Sequence, residues 1–202
     1  MKQLLSYDSK LIVFFTKLFD FVGLNVMFMV CCLPVITIPA AWSALLTIKY
    51  QQQSQPDLAI YTTFWKHIKE KWLVSLKVSL VTLTILGLMV ILPSRFGLIY
   101  LLPFQVVGSI VTLVLLSYQF ILTGLYEMNV KTLLRNCGFL FMTFPVQTSL
   151  LIIINTVVIF LSVTSYAGIL ISVYVYLFGG FVGLAILNAW VLRHIFKQLT
   201  SD

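Results

Sequence analysis

Few side chains in this sequence could carry out acid–base, nucleophilic or metal chemistry. The two histidines, His67 and His194, are each beside basic residues, with no nucleophile and base paired as a hydrolase requires. No H-E-x-x-H, G-x-S-x-G, P-loop or G-x-G-x-x-G pattern is present. We therefore expect two solvated surface histidines, no enzymatic activity, and no metal, nucleotide or flavin cofactor.

The cysteines do not suggest a metal or disulfide site either. Cys31, Cys32 and Cys137 form an odd set without a C-x-x-C spacing or a histidine at ligand distance. Cys31 and Cys32 are adjacent in an apolar run, so their side chains would diverge around a helix. We expect all three to be small core residues.

The elements that hold these residues are apolar runs of membrane-spanning length. Residues 136–192 contain no Asp, Glu, Lys, Arg or His, and they divide around 162–168 into two runs. Each run has about 20 residues, which is enough to cross a hydrocarbon core of roughly 30 Å as a helix. Backbone polar groups in lipid need internal partners, and the runs are too long for barrel strands, so they must be helical.

Composition agrees with a membrane protein throughout. The chain is 60% hydrophobic and 9% charged, with mean hydropathy +1.05. We expect residues 1–202 to form one polytopic, all-α integral membrane domain, a bundle of about five transmembrane helices with amphipathic interfacial helices. The predicted spans are approximately 21–48, 73–92, 98–122, 146–164 and 168–192, and the predicted interfacial helices are approximately 8–20, 58–72 and 127–144.

The first span has two interpretations, because Pro34 and Pro39 remove two backbone donors from it. Its length favours a single kinked crossing, with a re-entrant hairpin that turns at LPVITIP as the rival. The positive-inside rule places the loops around 49–72 and 123–145 and the C-terminal tail in the cytoplasm. A kinked crossing would leave Lys2, Lys10 and Lys17 outside, whereas the hairpin would bring them inside.

The basic residues favour lipid as a partner rather than nucleic acid. The formal net charge is +7, but the Lys and Arg residues are scattered at helix ends. Lys66, Lys69 and Lys71, in the interfacial segment 58–72, are expected to contact anionic headgroups. The same amphipathic helices could instead lie against a partner subunit, so a solute-transporter permease is a candidate partner.

Polar side chains at membrane depth are amides and hydroxyls. No run has a central ionisable residue, which argues against proton-coupled transport. We expect the amides Asn25, Gln105, Gln119, Asn155 and Asn188 to make interhelical hydrogen bonds, with a polar substrate path as the alternative. Gly179 and Gly183 are four residues apart, a spacing that lets helices approach closely, inside the bundle or at a dimer seam.

One segment resembles a known family. The run LNVMFMVCCLPVITIPAAWSAL resembles the opening signature of the YesL-like integral membrane proteins, although Ile38 stands where that family usually has Gly. The segment LYEMNVKTLLRNCGFLFMTFP is similar to the family's second cytoplasmic segment. The matching positions are Asn25, Leu33, Pro34, Thr37, Pro39, Ala44, Phe64, Trp72, Leu134, Arg135, Asn136 and Pro145.

The resemblance implies a location and a setting, but no chemistry. The family is a domain of unknown function. Its members are proteins of bacterial plasma membranes, mostly from Gram-positive organisms, and they tend to be associated with carbohydrate uptake and utilisation systems. The resemblance thus implies an accessory or scaffold protein associated with carbohydrate transport or utilisation. A stand-alone permease for a small polar solute is the alternative.

Overall fold

Helices form the architecture of residues 10–55, 58–96, 102–163 and 166–199, which are the residues that the computed structural model describes. No strand occurs among them. The elements are α1 (Lys10–Cys32), a short 3-10 helix (Val35–Thr37), α2 (Ile38–Gln52), α3 (Ile60–Phe96), α4 (Leu102–Leu125), α5 (Val130–Thr143), α6 (Pro145–Val163), α7 (Tyr166–Val175) and α8 (Phe181–Leu199). A π-helical segment, Tyr176–Gly180, joins α7 to α8.

Several of these helices suit a bilayer by length and composition. Four segments of the described chain qualify as membrane spans: Ile12–Cys32, Ile60–Leu88, Pro145–Ser162 and Gly168–Leu199. A shorter apolar segment, Val114–Leu125, belongs to α4. The prediction of an all-α membrane bundle is confirmed.

Helices α3 and α4 form an antiparallel hairpin. Lys71 lies near the start of α3 and bonds Glu127, just after α4, with Nζ and Oε1 2.9 Å apart. Further along α3, Thr82 Oγ1 donates to Gln119 Oε1 at 2.6 Å. The partners run in opposite directions along the two helices, so the end of α3 and the start of α4 are remote from Lys71.

Helices α6 and α8 are also antiparallel. Gln147 at the start of α6 bonds Gln198 at the end of α8, and Asn155 bonds Asn188 further in. We call the end where α2, α4 and α8 finish and α3 and α6 begin the basic end.

The predicted first span, 21–48, is part of a helical hairpin formed by α1 and α2. The prediction of a single kinked crossing is therefore wrong. The rings of Phe28 and Trp42 lie 5.9 Å apart, whereas one straight helix would separate them by roughly 20 Å. Asp20, in the middle of α1, also interacts electrostatically with Lys49, near the C-terminal end of α2. The chain therefore reverses after Cys32, and α1 begins at the basic end.

The turn is built from apolar residues whose backbone groups are bonded. Leu33 is 80% exposed and Val35 76% exposed. The Thr37 N–H donates to Pro34 O at 3.0 Å, and the Ile38 N–H donates to Val35 O. Thr37 Oγ1 donates to Pro34 O at 2.7 Å and also contacts Cys31 O. Because Pro34 and Pro39 bring no N–H, this turn leaves few donors unpaired and suits an apolar environment.

Helix α2 is the centre of the bundle. It packs against α1, α3, α4 and α8. Its 15 residues span about 22 Å, less than a bilayer core of roughly 30 Å. Small buried side chains let these neighbours approach: Ala40, Ala41, Ser43 and Ala44.

Two of the predicted interfacial helices are not separate elements. The described part of 8–20 is continuous with α1, and 58–72 is continuous with the predicted span 73–92 in α3, which has 37 residues. No helix-breaking residue stands at either junction, so the change in composition did not interrupt the helix. The predicted helix 127–144 is a separate element, α5.

The other predicted spans coincide with helices in part. The span 98–122 falls on α4, with 98–101 outside the described residues, and 146–164 falls on α6, with 164 outside. The span 168–192 contains the break between α7 and α8.

The hairpin predicts the sidedness of three positions. In a variant with Cys31, Cys32 and Cys137 replaced by Ala, single cysteines are introduced as Lys17→Cys, Ser54→Cys or Ser94→Cys. We expect a membrane-impermeant thiol reagent to label Lys17→Cys and Ser54→Cys from one side and Ser94→Cys from the other. Labelling of Lys17→Cys and Ser94→Cys from the same side would restore the kinked crossing.

Candidate functional site

The family-like asparagine, Asn25, bonds the interrupted stretch of helix between α7 and α8. Asn25 on α1 is fully buried, and its Nδ2 donates to Tyr176 O at 2.8 Å and Leu177 O at 3.0 Å. These carbonyls lie in the π-helical segment, where Gly179 has φ of +150°. An asparagine amide here supplies donors to carbonyls at the helix break, and its own Oδ1 is buried without a partner.

The rest of the opening motif makes the turn. Leu33 and Pro34 begin it, Thr37 closes it with its hydroxyl, and Pro39 lies in the first turn of α2. Proline is favoured at this helix position because its missing N–H has no intrahelical partner there. The structure thus gives these residues a backbone role.

Gly179 and Gly183 differ in their surroundings. A Cβ on Gly179 would overlap the ring of Phe21 from α1, whereas one on Gly183 would meet nothing within 4 Å. The close approach predicted for both glycines therefore occurs only at Gly179, because the break turns the chain there and lets Phe21 occupy the space.

His67 is a core residue, and the expectation of a solvated side chain is wrong for it. It is 9% exposed, with Nε2 3.3 Å from Ser43 Oγ on α2. Ser43 Oγ donates to Phe120 O on α4 at 2.7 Å. Helix α3 turns Phe64 and His67 toward the bundle and Trp65 outward. His194 is exposed, as expected.

Four deep amides join elements of the bundle, as predicted: Asn25, Gln119, Asn155 and Asn188. The side chain of the fifth, Gln105, lies outside the described part of the structure. Asn155 Nδ2 donates to Asn188 Oδ1 at 2.9 Å between α6 and α8, and Gln119 accepts from Thr82 between α4 and α3. A further pair that the sequence did not suggest is Tyr118 Oη with Thr148 Oγ1, 2.6 Å apart. Tyr118 lies on α4 and Thr148 on α6, with α5 between them in the chain, so no helical periodicity in the sequence relates the two residues.

The three lysines predicted to be interfacial have different environments. Lys66 is exposed and 4.0 Å from Glu70 one turn on, and the Lys69 Nζ lies 5.6 Å from the ring centre of Trp65. Both are available to headgroups. Lys71 departs from the prediction, because its side chain is mostly covered and bonds Glu127, whose pKa it lowers through that hydrogen bond and its charge.

The second family-like segment places Asn136 at the basic end. Its Nδ2 is 3.2 Å from Met128 Sδ, and it lines a cavity between α2, α4, α5 and α8. On the same helix Cys137 is buried, and burial raises the pKa of its thiol to about 12. That thiol is a weak nucleophile at neutral pH.

The structure also shows how the possible metal ligands and the Ser43–His67 pair are placed. Across residues 10–55, 58–96, 102–163 and 166–199, no three His, Cys, Asp or Glu side chains are grouped to hold a metal ion. The Ser43–His67 contact lies inside the bundle, where the serine proton goes to a backbone carbonyl instead of the imidazole.

The two glycines provide a matched pair of variants. We expect Gly179→Ala to destabilise the protein by about 2 kcal/mol or more, because the methyl group overlaps Phe21 and the backbone conformation disfavours an L side chain. Gly183→Ala should be neutral or stabilising by up to about 1 kcal/mol, since it fills open space on a helix. Thermal unfolding in detergent measures both, and equal losses would contradict the difference.

Comparison with known proteins finds a family match over part of the chain. No curated protein and no solved structure matches the chain. Residues 21–91 match the family described as "Protein of unknown function, DUF624". The matched segment contains Asn25, the turn, α2 and most of α3, so the resemblance to the YesL-like proteins, which are of this family, is confirmed over residues 21–91.

Proposed function

We propose that the chain is an accessory or scaffold subunit for a solute transporter in a bacterial plasma membrane, and that it has no enzymatic activity. The observation that carries this proposal is the use of the deep amides. Asn25, Gln119, Asn155 and Asn188 all bond between elements of the bundle. Side chains that hold helices together in this way do not form a solute path without breaking those contacts.

The basic end supports an orientation for this subunit. Among the described residues, the Lys and Arg positions fall in this half of the bundle, apart from Lys77 within α3 and Arg95 at the far end of α3. The positive-inside rule then places the basic end in the cytoplasm. The hairpin strengthens this orientation, because it adds the first turns of α1 to the same side.

The carbohydrate setting is the finer part of the proposal. It rests on the resemblance to the YesL-like proteins, which tend to accompany carbohydrate uptake and utilisation systems. A subunit that stabilises or positions a permease needs no catalytic group. It needs contact surfaces and a fixed orientation, and a helix bundle can supply both.

A stand-alone permease is the second candidate, and one observation favours it. The helix interruption at Tyr176–Gly180 is bonded by the buried Asn25, and secondary transporters commonly bind their substrates at broken helices. The buried, unpartnered Asn25 Oδ1 would be a ligand for such a substrate.

Reconstitution separates the two candidates. We expect purified protein alone in liposomes to take up neither radiolabelled glucose nor maltose, and protein isolated gently from its own host to retain a permease in fixed ratio. Uptake above empty liposomes would favour the permease. Isolation of the protein without any permease, from cells grown on glucose or maltose, would contradict the accessory role.

A matched substitution tests the use of the amides. Replacing Asn155 and Asn188 together by Leu removes both partners, so we expect near-normal stability and full complementation of a deletion strain. Asn188→Leu alone should be less stable by about 0.6 kcal/mol or more, because Asn155 loses its interhelical partner. Thermal unfolding and growth on the carbohydrate measure these effects. A stable double variant that fails to complement would indicate that the amides contact solute.

A further inference from the structure

A groove lies between α6, α7 and the start of α8. It has a volume of about 380 Å³ and belongs to two of the candidate membrane spans, Pro145–Ser162 and Gly168–Leu199. Three of its lining residues, Leu161, Val175 and Leu187, are half exposed or more. The groove therefore opens on a side of the bundle that faces hydrocarbon.

The space in the groove exists because residue 183 has no side chain. A Cβ built on Gly183 would meet nothing within 4 Å, although Leu184 and Leu187 of the same helix line the groove beside it. No described residue fills this gap. Whatever this glycine accommodates must come from outside the described part of the chain.

The lining of the groove is apolar. Nearly all of its surface belongs to hydrocarbon atoms, and none of the described lining residues is charged. Two of its hydroxyls are bonded within the protein, since Ser162 Oγ donates to Val158 O at 2.7 Å and lies 3.3 Å from Tyr176 Oη. Apolar cavities stay dry and bind apolar ligands. The groove therefore suits a hydrocarbon ligand and not a polar solute.

The wall formed by the π-helical segment is fixed by contacts with α1 and α8. Tyr176 O accepts from Asn25 Nδ2 at 2.8 Å, and the Tyr176 ring stacks on Phe181 with the ring centres 4.6 Å apart. Phe181 in turn lies 4.9 Å from Phe28 of α1. These contacts maintain the shape of the wall without a ligand, and a preformed site loses less conformational entropy on binding.

The size of the groove favours a flexible chain over a helix. The groove follows α8 from Gly180 to Leu187, a rise of about 10 Å. Over that length its volume corresponds to a channel about 7 Å wide, whereas a helix with its side chains is about 10–12 Å across. A helix of a second copy or of another protein would not enter such a channel, but a lipid acyl chain would.

We propose that this groove is a binding site for one acyl chain of a membrane phospholipid. Helix α6 begins at the basic end and reaches the groove in its second half, so the lipid belongs to the half of the bilayer remote from the basic end. The chain passes Gly183 and packs against Leu184 and Leu187, where an empty gap would lose dispersion contacts. The site does not depend on whether the protein serves a transporter.

The experiment is a photo-crosslinking titration of the full-length protein. Delipidated protein in a neutral detergent is titrated with a phosphatidylcholine that carries a diazirine in one acyl chain, and cross-linked peptides are quantified by mass spectrometry. Labelling is measured at 158–162 of α6, which no variant alters. We expect saturable labelling there, with unlabelled phosphatidylcholine and phosphatidylglycerol competing equally, because the groove contacts the chain and not the headgroup.

Two glycines provide a matched pair of variants. Gly183→Leu fills the groove and should lower the saturable labelling by about fivefold or more. Gly87→Leu adds the same side chain to open space on α3, away from the groove, and should leave the labelling unchanged. Gly183→Ala adds one methyl group and should lower the labelling by about twofold, which keeps the test decisive if Gly183→Leu does not fold.

Each outcome decides the proposal. Saturable labelling that is lost in Gly183→Leu and retained in Gly87→Leu supports it. Labelling that never saturates and is equal in all variants would overturn it in favour of ordinary boundary lipid. Competition by phosphatidylglycerol alone would overturn it in favour of headgroup recognition. A dimer in chemical cross-linking that becomes a monomer in Gly183→Leu would overturn it in favour of a second copy in the groove.

Discussion

The packing of helix α2 is the constraint on which the rest of the bundle depends. This helix is too short to cross a bilayer core, and α1, α3, α4 and α8 pack against it. Its neighbours can approach because Ala40, Ala41 and Ala44 are small. Its polar side chains are used in those approaches, as when Ser43 donates to the Phe120 carbonyl. A buried central helix of this kind is surrounded by other helices, while those helices face lipid on their outer sides.

Placing α2 inside the bundle requires a reversal after α1, and the residues of the opening motif satisfy the backbone at that reversal. Pro34 and Pro39 remove donors, while Thr37 bonds the Pro34 carbonyl with its side chain. Asn25 does the corresponding work at the second interruption by donating to Tyr176 and Leu177. These residues solve one physical problem, which is how a chain can leave helical geometry where water is scarce.

The two ends of the molecule have different characters as a consequence of the hairpins. The turn after α1 is apolar and lies at one end, while the helix termini at the other end carry most of the basic side chains. Arg193 lies at this basic end and is anchored to the segment after α2, so the same packing that centres α2 also shapes the cavity there. Binding at a membrane surface and attachment to a partner are functions that such an asymmetric bundle can perform without a reaction centre.

Several features could be read from the order of residues. Long uncharged runs require helices, because backbone groups in hydrocarbon have no other partners, and the isolated amides Asn155 and Asn188 had to bond each other or their neighbours. The amphipathic pattern of 127–144 also predicted a real element, α5. The motif around Pro34 indicated an interruption of the first apolar run, and both a kink and a hairpin were compatible with it.

The tertiary structure decided what local patterns left open. Hydropathy cannot distinguish a helix surrounded by lipid from one surrounded by protein, since both are apolar, so α1 and α2 together resembled a single span. The rotation of α3 that buries His67 depends on the surface that α2 presents. The cavity residues Tyr50, Asn136 and Arg193 lie on three separate helices. Composition and periodicity thus determined that the chain lies in lipid and that its elements are helices. Contacts between residues distant in the chain determined the direction of each helix, the burial of each side chain and the location of the cavity.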